Sequence, residues 1–201
     1  MLDRAIQSAI QPLLTRAARQ LVAVGIGADA VTVTGFVVGM AAAVAIAFEA
    51  YGLGLALLLA SRLMDGLDGA VARATQPTDR GGFLDITLDF LFYASIPLAF
   101  AIAHPAQNAL PAAVLLAAFI GTASSFLAFA IVAAKHRLES TAFPDKSFYF
   151  LGGLTEATET LIAFTAMCLW PAAFPLIAYG FAVLCAVTIA MRIGWGWQRF
   201  G

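Results

Sequence analysis

Apolar residues run along this chain in stretches of about twenty, and nearly all of the charge falls in the short interruptions between them. The pattern predicts six spans, at about residues 30–49, 52–72, 82–103, 108–134, 148–170 and 174–193. Twenty residues at ~1.5 Å per residue match the ~30 Å hydrocarbon layer of a bilayer. The turns on one side are very short, so the spans form one compact all-α bundle. The first twenty residues differ. Leu2, Ile6, Ile10, Leu13 and Leu14 recur at helical spacing against Asp3, Arg4, Gln7, Gln11, Arg16 and Arg19. Such polar interruption is wrong for the apolar centre of a cleavable signal peptide. It suits an amphipathic helix that lies in the membrane interface or packs on the cytoplasmic surface of the bundle. The expected organisation is an interfacial helix over 1–20, then a single six-helix transmembrane catalytic domain over 21–201.

Composition agrees. Of 201 residues, 62% are hydrophobic and 11% charged, against about 25% charged in an ordinary soluble domain. The net charge of −1 suggests no nucleic-acid partner. With an even number of spans, both termini share a side. Arg4, Arg16, Arg19, Arg62, Arg73, Arg80, Lys135, Arg137, Lys146, Arg192 and Arg199, which are all the lysines and arginines, fall on that side. The opposite turns hold only Glu49 and His104. Basic residues mark the cytoplasmic side. Cys168 and Cys185 lie inside apolar spans and read as small buried hydrophobes.

Against this background, Asp65, Asp68, Arg73, Asp85 and Asp89 stand out on two stretches otherwise apolar enough to cross a bilayer. A charge at the centre of a membrane helix costs about 2.5–3.5 kcal/mol by insertion scales, so intramembrane ionisable residues are functional candidates by default. Asp65 and Asp68 are three apart, Asp85 and Asp89 four apart. Both spacings put a pair on one helix face. Two such faces opposed make a box of oxygen ligands. With no His or Cys nearby, it suits Mg2+ or Mn2+ rather than zinc.

Asp65, Asp68, Gly69, Ala72, Arg73, Gly81, Asp85 and Asp89 occupy one fixed frame, D-x2-D-G-x2-A-R-x7-G-x3-D-x3-D. It resembles the signature of the CDP-alcohol phosphotransferases, six-span bundles with this motif at the cytoplasmic end of the second and third spans. Residues 25–35 are similar to the start of that family's first span, except that Ala28-Asp29 stands where Pro-Asn is usual. At Asp29 a helix N-cap is the simpler expectation. The resemblance implies that Asp65, Asp68 and Asp85 are metal ligands. It implies that Asp89 contacts metal and takes the proton from the acceptor hydroxyl. Asp68, Gly69, Ala72, Arg73 and Gly81 would border the nucleotide, although small residues also serve close helix packing. Two divalent ions can clamp the attacked phosphorus and the leaving oxygen together. The implied reaction takes CDP-diacylglycerol, or another CDP-alcohol, and a hydroxyl acceptor in a bacterial inner membrane, and releases CMP. Homodimerisation is a family expectation.

The acceptor side is thinner. Lys135, Arg137 and Lys146, around the loop before the fifth span, and Arg192, ending the sixth, can hold a phosphorylated acceptor. They can equally be cytoplasmic loop charge or lipid-headgroup contacts. Glu156 and Glu159 form a second acid pair inside the fifth span, suited to acceptor hydroxyls or a cationic headgroup, or else to pairing with a basic residue and shaping the pocket. Thr122, Ser124 and Ser125 are expected to bond between helices. Lys146 to Tyr149, Trp195 and Trp197 read as interfacial anchors. Three rival functions stay open: the same chemistry with a soluble CDP-alcohol donor and a lipid acceptor, a cation or proton transporter, and a metal-stabilised structural protein. The transporter needs polar groups through the full thickness, and the external halves of the first three spans are almost purely apolar.

Overall fold

A computed structural model of the chain describes residues 2–136 and 153–200, with side chains from residue 10 onward. Seven α-helices follow in order: α1 Leu2–Ala23, α2 Ala28–Ala47, α3 Tyr51–Ala74, α4 Asp79–Ala103, α5 Pro105–Lys135, α6 Ala157–Leu169 and α7 Phe174–Phe200. A single 3-10 turn, Pro171–Ala173, joins the last two, and there is no strand among the described residues. Helix is the expected form, because a chain in lipid must satisfy its backbone polar groups within the segment.

Four segments are long and apolar enough to cross a membrane: α2, α4, α5, and α7 with the 3-10 turn before it. The other two expected spans differ. At 24 residues α3 has the length, but its second half carries Arg62, Asp65, Asp68 and Arg73. At 13 residues α6 is only about 20 Å long. Residues 153–156 precede it in irregular backbone, so the expected helix over 148–170 starts later where it is described.

The centre of the bundle is aromatic. Phe92, Phe100, Phe164 and Phe174 are fully buried. The Phe100 ring stacks on Phe174 at 4.7 Å between centroids and on Tyr51 at 5.7 Å. Asn108, also buried, donates from Nδ2 to the Phe100 carbonyl at 2.9 Å and ties α5 to α4. Glycine brings α2 close to its neighbours. A Cβ on Gly39 would lie 2.6 Å from Phe92 Cδ2 and 2.8 Å from Ser61 Oγ, and one on Gly35 would lie 3.0 Å from Met64 Cβ. This is the small-residue packing typical of membrane helices. Ser61 Oγ donates to the Gly35 carbonyl at 2.8 Å.

The first helix packs on the bundle. Ala18 is fully buried in a small cluster with Ala70 and Val71, flanked by Leu14, Leu21 and Leu67. This joins α1 to the carboxylate-bearing end of α3. At the far end His104 Nε2 lies 3.5 Å from Glu49 Oε2, so the two polar residues of the short turns meet. The hydroxyls of Thr122, Ser124 and Ser125 bond back within α5, to the carbonyls of Phe119, Gly121 and Thr122. The expected bonds between helices are not what they make. A helical hydroxyl reaches a carbonyl one turn back more easily than a neighbouring helix.

Candidate functional site

The carboxylates meet where α3 ends and α4 begins. Helix α3 stops at Ala74, and α4 starts at Asp79 with Thr78 as N-cap, its Oγ1 accepting from the Gly81 N–H at 3.0 Å. The Asp65 and Asp68 face of α3 and the Asp85 and Asp89 face of α4 border one cleft, which Thr32, Gly35 and Phe36 of α2 also line. One carboxylate oxygen each from Asp65, Asp68 and Asp85 lie within 4.8 Å of one another. Asp68 is 5% exposed, and its Oδ2 is buried with no hydrogen-bond partner. A buried acceptor without a donor costs free energy unless something satisfies it. Three hard oxygens converging on so small a space, with an unsatisfied carboxylate oxygen on one of the three residues, fit a divalent cation of the Mg2+ or Mn2+ kind.

Asp89 lines the same cleft but is engaged differently. Arg62 Nη1 donates to its Oδ1 at 2.6 Å and lies 3.5 Å from Asp65 Oδ1. Along the sequence Arg62 reads only as one of the basic residues of the cytoplasmic side, so this place for it was missed. The signal was present, since Arg62 stands three residues before Asp65 on an apolar stretch. The two neighbouring basic residues, Arg73 and Arg80, go elsewhere. The Arg73 guanidinium folds over Gly69, where a Cβ would sit 3.2 Å from Nη1. Arg80 donates from Nε to Asp29 Oδ2 at 2.9 Å. Asp29 is therefore not the N-cap of α2, a position taken by Gly27; it lies in the first turn and ties the start of α2 to the start of α4. A Cβ on Gly81 would come within 3.2 Å of both Asp29 Oδ1 and Thr78 Oγ1, so glycine here makes room for that junction.

The second acid pair lies at the start of α6. Glu156 is the N-cap and its side chain accepts from the Glu159 backbone, while Glu159 Oε2 accepts from the Glu156 N–H at 3.1 Å. This reciprocal capping box satisfies two backbone donors that the helix leaves open. Glu156 Oε1 also accepts from the Gly153 N–H at 3.1 Å. Thr188 on α7 completes the anchor. Its Oγ1 accepts from the backbone N–H of Leu154 at 3.2 Å and of Thr155 at 3.1 Å. No local pattern marks Thr188, whose partners lie more than thirty residues away. Glu156→Ala is expected to cost about 1 kcal/mol of stability, whereas Glu156→Gln keeps an acceptor and most of the cap. Thermal unfolding of both variants in detergent checks this, and equal losses would remove the cap as the explanation.

Of the expected acceptor residues, Lys135 is exposed at the end of α5. Arg192 is buried on α7, donating from Nη1 to the Thr122 carbonyl at 2.9 Å, with its guanidinium 5.7 Å from the Phe126 ring centre. Arg137, Lys146 and the anchor segment to Tyr149 lie outside the described residues.

Comparison with known proteins gives this geometry a context. The profile of the CDP-alcohol phosphatidyltransferase family matches residues 26–193. The chain is 50% identical over 197 residues to the inner membrane protein YnjF of Escherichia coli, covering 98% of this chain and 96% of that one. It is 51% identical over 69 residues to the archaetidylinositol phosphate synthase of Methanothermobacter thermautotrophicus, covering 34% of this chain and 35% of that one. The crystal structure of Mycobacterium tuberculosis phosphatidylinositol phosphate synthase with CDP-DAG bound superposes with a TM-score of 0.72 at 23% identity, over 91% of this chain and 92% of that one, a likeness of fold. The matched region contains the whole eight-residue frame and the carboxylates it brings together, and the chain thus belongs to the CDP-alcohol phosphatidyltransferase family, enzymes that transfer substituted phosphate groups.

Proposed function

We propose that this protein is a multi-pass enzyme of phospholipid synthesis that moves a phosphatidyl group from CDP-diacylglycerol to a hydroxyl acceptor and releases CMP. The observation that carries this reading is the convergence of one carboxylate oxygen each from Asp65, Asp68 and Asp85 within 4.8 Å, beside a buried Asp68 Oδ2 that has no hydrogen-bond partner. Bound there, two Mg2+ or Mn2+ ions would supply positive charge to the phosphoryl oxygens and the departing CMP. Asp65, Asp68 and Asp85 would hold them, with Asp89 at the edge of the group. Gly69, Ala72 and Gly81, with Asp68 and Arg73, would border the cytidine. Asp89 accepts the acceptor's hydroxyl proton. The acceptor oxygen then forms its bond to the phosphatidyl phosphorus, and the bond from that phosphorus to the CMP oxygen breaks, its electron pair leaving with CMP. A carboxylate positioned as base contributes typically 10²–10⁴-fold.

In this reading α3 and α6 complete six spans, α6 with part of the chain before it. The basic end, carrying the carboxylates, faces the cytoplasm, and α1 lies on the membrane surface while packing on α3. The enzyme works as a homodimer in a bacterial inner membrane. The acceptor carries a phosphate. Two things support that: the inositol phosphate products named for the archaeal relative and for the structural neighbour, and the use as a helix cap of Glu156 and Glu159, carboxylates that would otherwise repel a phosphorylated acceptor. Arg192 and Lys135, with Arg137 and Lys146, are the basic residues proposed to receive it.

The test is release of labelled CMP from CDP-diacylglycerol by purified protein with Mg2+ or Mn2+, adding inositol 1-phosphate, glycerol 3-phosphate, inositol or serine singly. Metal-dependent release stimulated by a phosphorylated acceptor is expected. Stimulation by a neutral alcohol alone would overturn the acceptor class. No release with any acceptor, from protein that binds metal, would move the function to a soluble CDP-alcohol donor or to transport.

A further inference from the structure

The guanidinium of Arg62 lies in the cleft with the carboxylates, yet the reaction proposed above assigns it no part. Its side chain is 13% exposed. Burying an arginine is costly unless its charge is paired and its donors are used. Here the pairing is specific. Nη1 donates to Asp89 Oδ1 at 2.6 Å, Nη2 donates to Ser61 Oγ at 3.3 Å, and the guanidinium carbon stands 3.9 Å over the centre of the Phe92 ring. The supports are themselves held. Ser61 Oγ donates on to the Gly35 carbonyl, and Phe92 and Ser61 both fill the space that Gly39 leaves by having no side chain. A flat, forked cation gripped on one face and at two nitrogens has little freedom, unlike a lysine at the same place.

We propose that Arg62 is a positioning residue of this enzyme: it holds Asp89 by Oδ1, so that the other carboxylate oxygen is presented to the acceptor hydroxyl. The proposal rests on the role of Asp89 given above. A simple neutralising role would need only positive charge near the carboxylates. The bond to one named oxygen, braced by Ser61 and Phe92, gives orientation as well. Orientation matters because displacement of a reacting group by about 1 Å can cost about 100-fold in rate.

Three measurements test it. First, Arg62→Ala is expected to lower kcat for CMP release about 100-fold, with KM for CDP-diacylglycerol within about threefold and Mn2+ affinity, read by electron paramagnetic resonance, unchanged or raised, since Arg62 Nη1 also lies 3.5 Å from Asp65 Oδ1. Second, free guanidinium at a non-denaturing concentration restores at least about a tenth of the lost turnover in Arg62→Ala, and none in Asp89→Asn, as expected if it replaces oriented hydrogen bonds. Arg62→Lys, which keeps the charge but loses the fork, stays well below wild type. A kcat within threefold of wild type in Arg62→Ala, or full activity in Arg62→Lys, would overturn the proposal. So would a fall in Mn2+ affinity and thermal stability matching the fall in kcat, with no rescue. Third, a double-mutant cycle of Arg62→Ala and Asp89→Ala, each of which removes the contact, on the thermal stability of metal-free protein needs no turnover. The double variant is expected to lose less than the sum of the singles, and strict additivity would refute the ion pair even if the proposed reaction itself proved wrong.

Discussion

Asp68→Asn is expected to abolish metal-dependent CMP release, by about 1,000-fold or more, which corresponds to ~4 kcal/mol of transition-state stabilisation. The substitution keeps the shape of the side chain and removes one negative charge from a group of three oxygens lying within 4.8 Å. It also sets an amide against the cation in the position of the most buried carboxylate of the group, the one whose Oδ2 has no hydrogen-bond partner. A carboxylate at that place is costly to the metal-free protein, since its neighbours Asp65 and Asp85 carry like charge. The same substitution is therefore expected to leave metal-free thermal stability unchanged or raised, while removing the rise in melting temperature expected of the wild type on adding Mn2+. Mn2+ titration with a thermal readout checks both signs. Wild-type Mn2+ affinity in this variant would show that the three-carboxylate group is not where the ion binds.

Asp89→Asn is expected to lose about 10²–10⁴-fold in turnover, for a different reason and with a different signature. Asp89 stands beside the three converging carboxylates and is held by Arg62 at 2.6 Å. Its loss should leave Mn2+ binding and CDP-diacylglycerol binding largely intact. Asparagine offers Arg62 a carbonyl oxygen in place of Oδ1, so the fold around the site survives. What disappears is the ability to accept a proton. Single-turnover CMP release, measured beside donor binding at equilibrium, separates the two effects. Weakened donor binding in step with turnover would make Asp89 a binding residue and remove it as base.

Several features were legible along the chain before any fold was known. The spacing of Asp65 and Asp68, and of Asp85 and Asp89, foretold two acid-bearing helix faces, because a helix repeats every 3.6 residues whatever surrounds it. The segments at 30–49 and 108–134 reappear as α2 and α5 within a few residues of their expected limits. Errors arose where one residue type serves two ends. Glu156 and Glu159 are three apart, which is the spacing of an acid pair on one helix face and equally of a capping box; only the start of α6 at Ala157 separates the two. Asp29 suits an N-cap by type, but the chain enters α2 at Gly27 and leaves Asp29 to reach Arg80, fifty-one residues on.

Local order and chemical kind were thus set by the chain alone. Apolar runs specify helices, since lipid offers no other home for the backbone, and the eight-residue frame specifies the carboxylates and the small residues among them. Which charges meet is a different matter. That Arg62 turns to Asp89, that Arg73 lies over Gly69, and that Thr188 receives the loop before α6 depend on how helices distant in sequence come to pack. Side-chain pairs of that kind are chosen by distance and burial in the assembled bundle, and periodicity along one helix carries no information about the face of another.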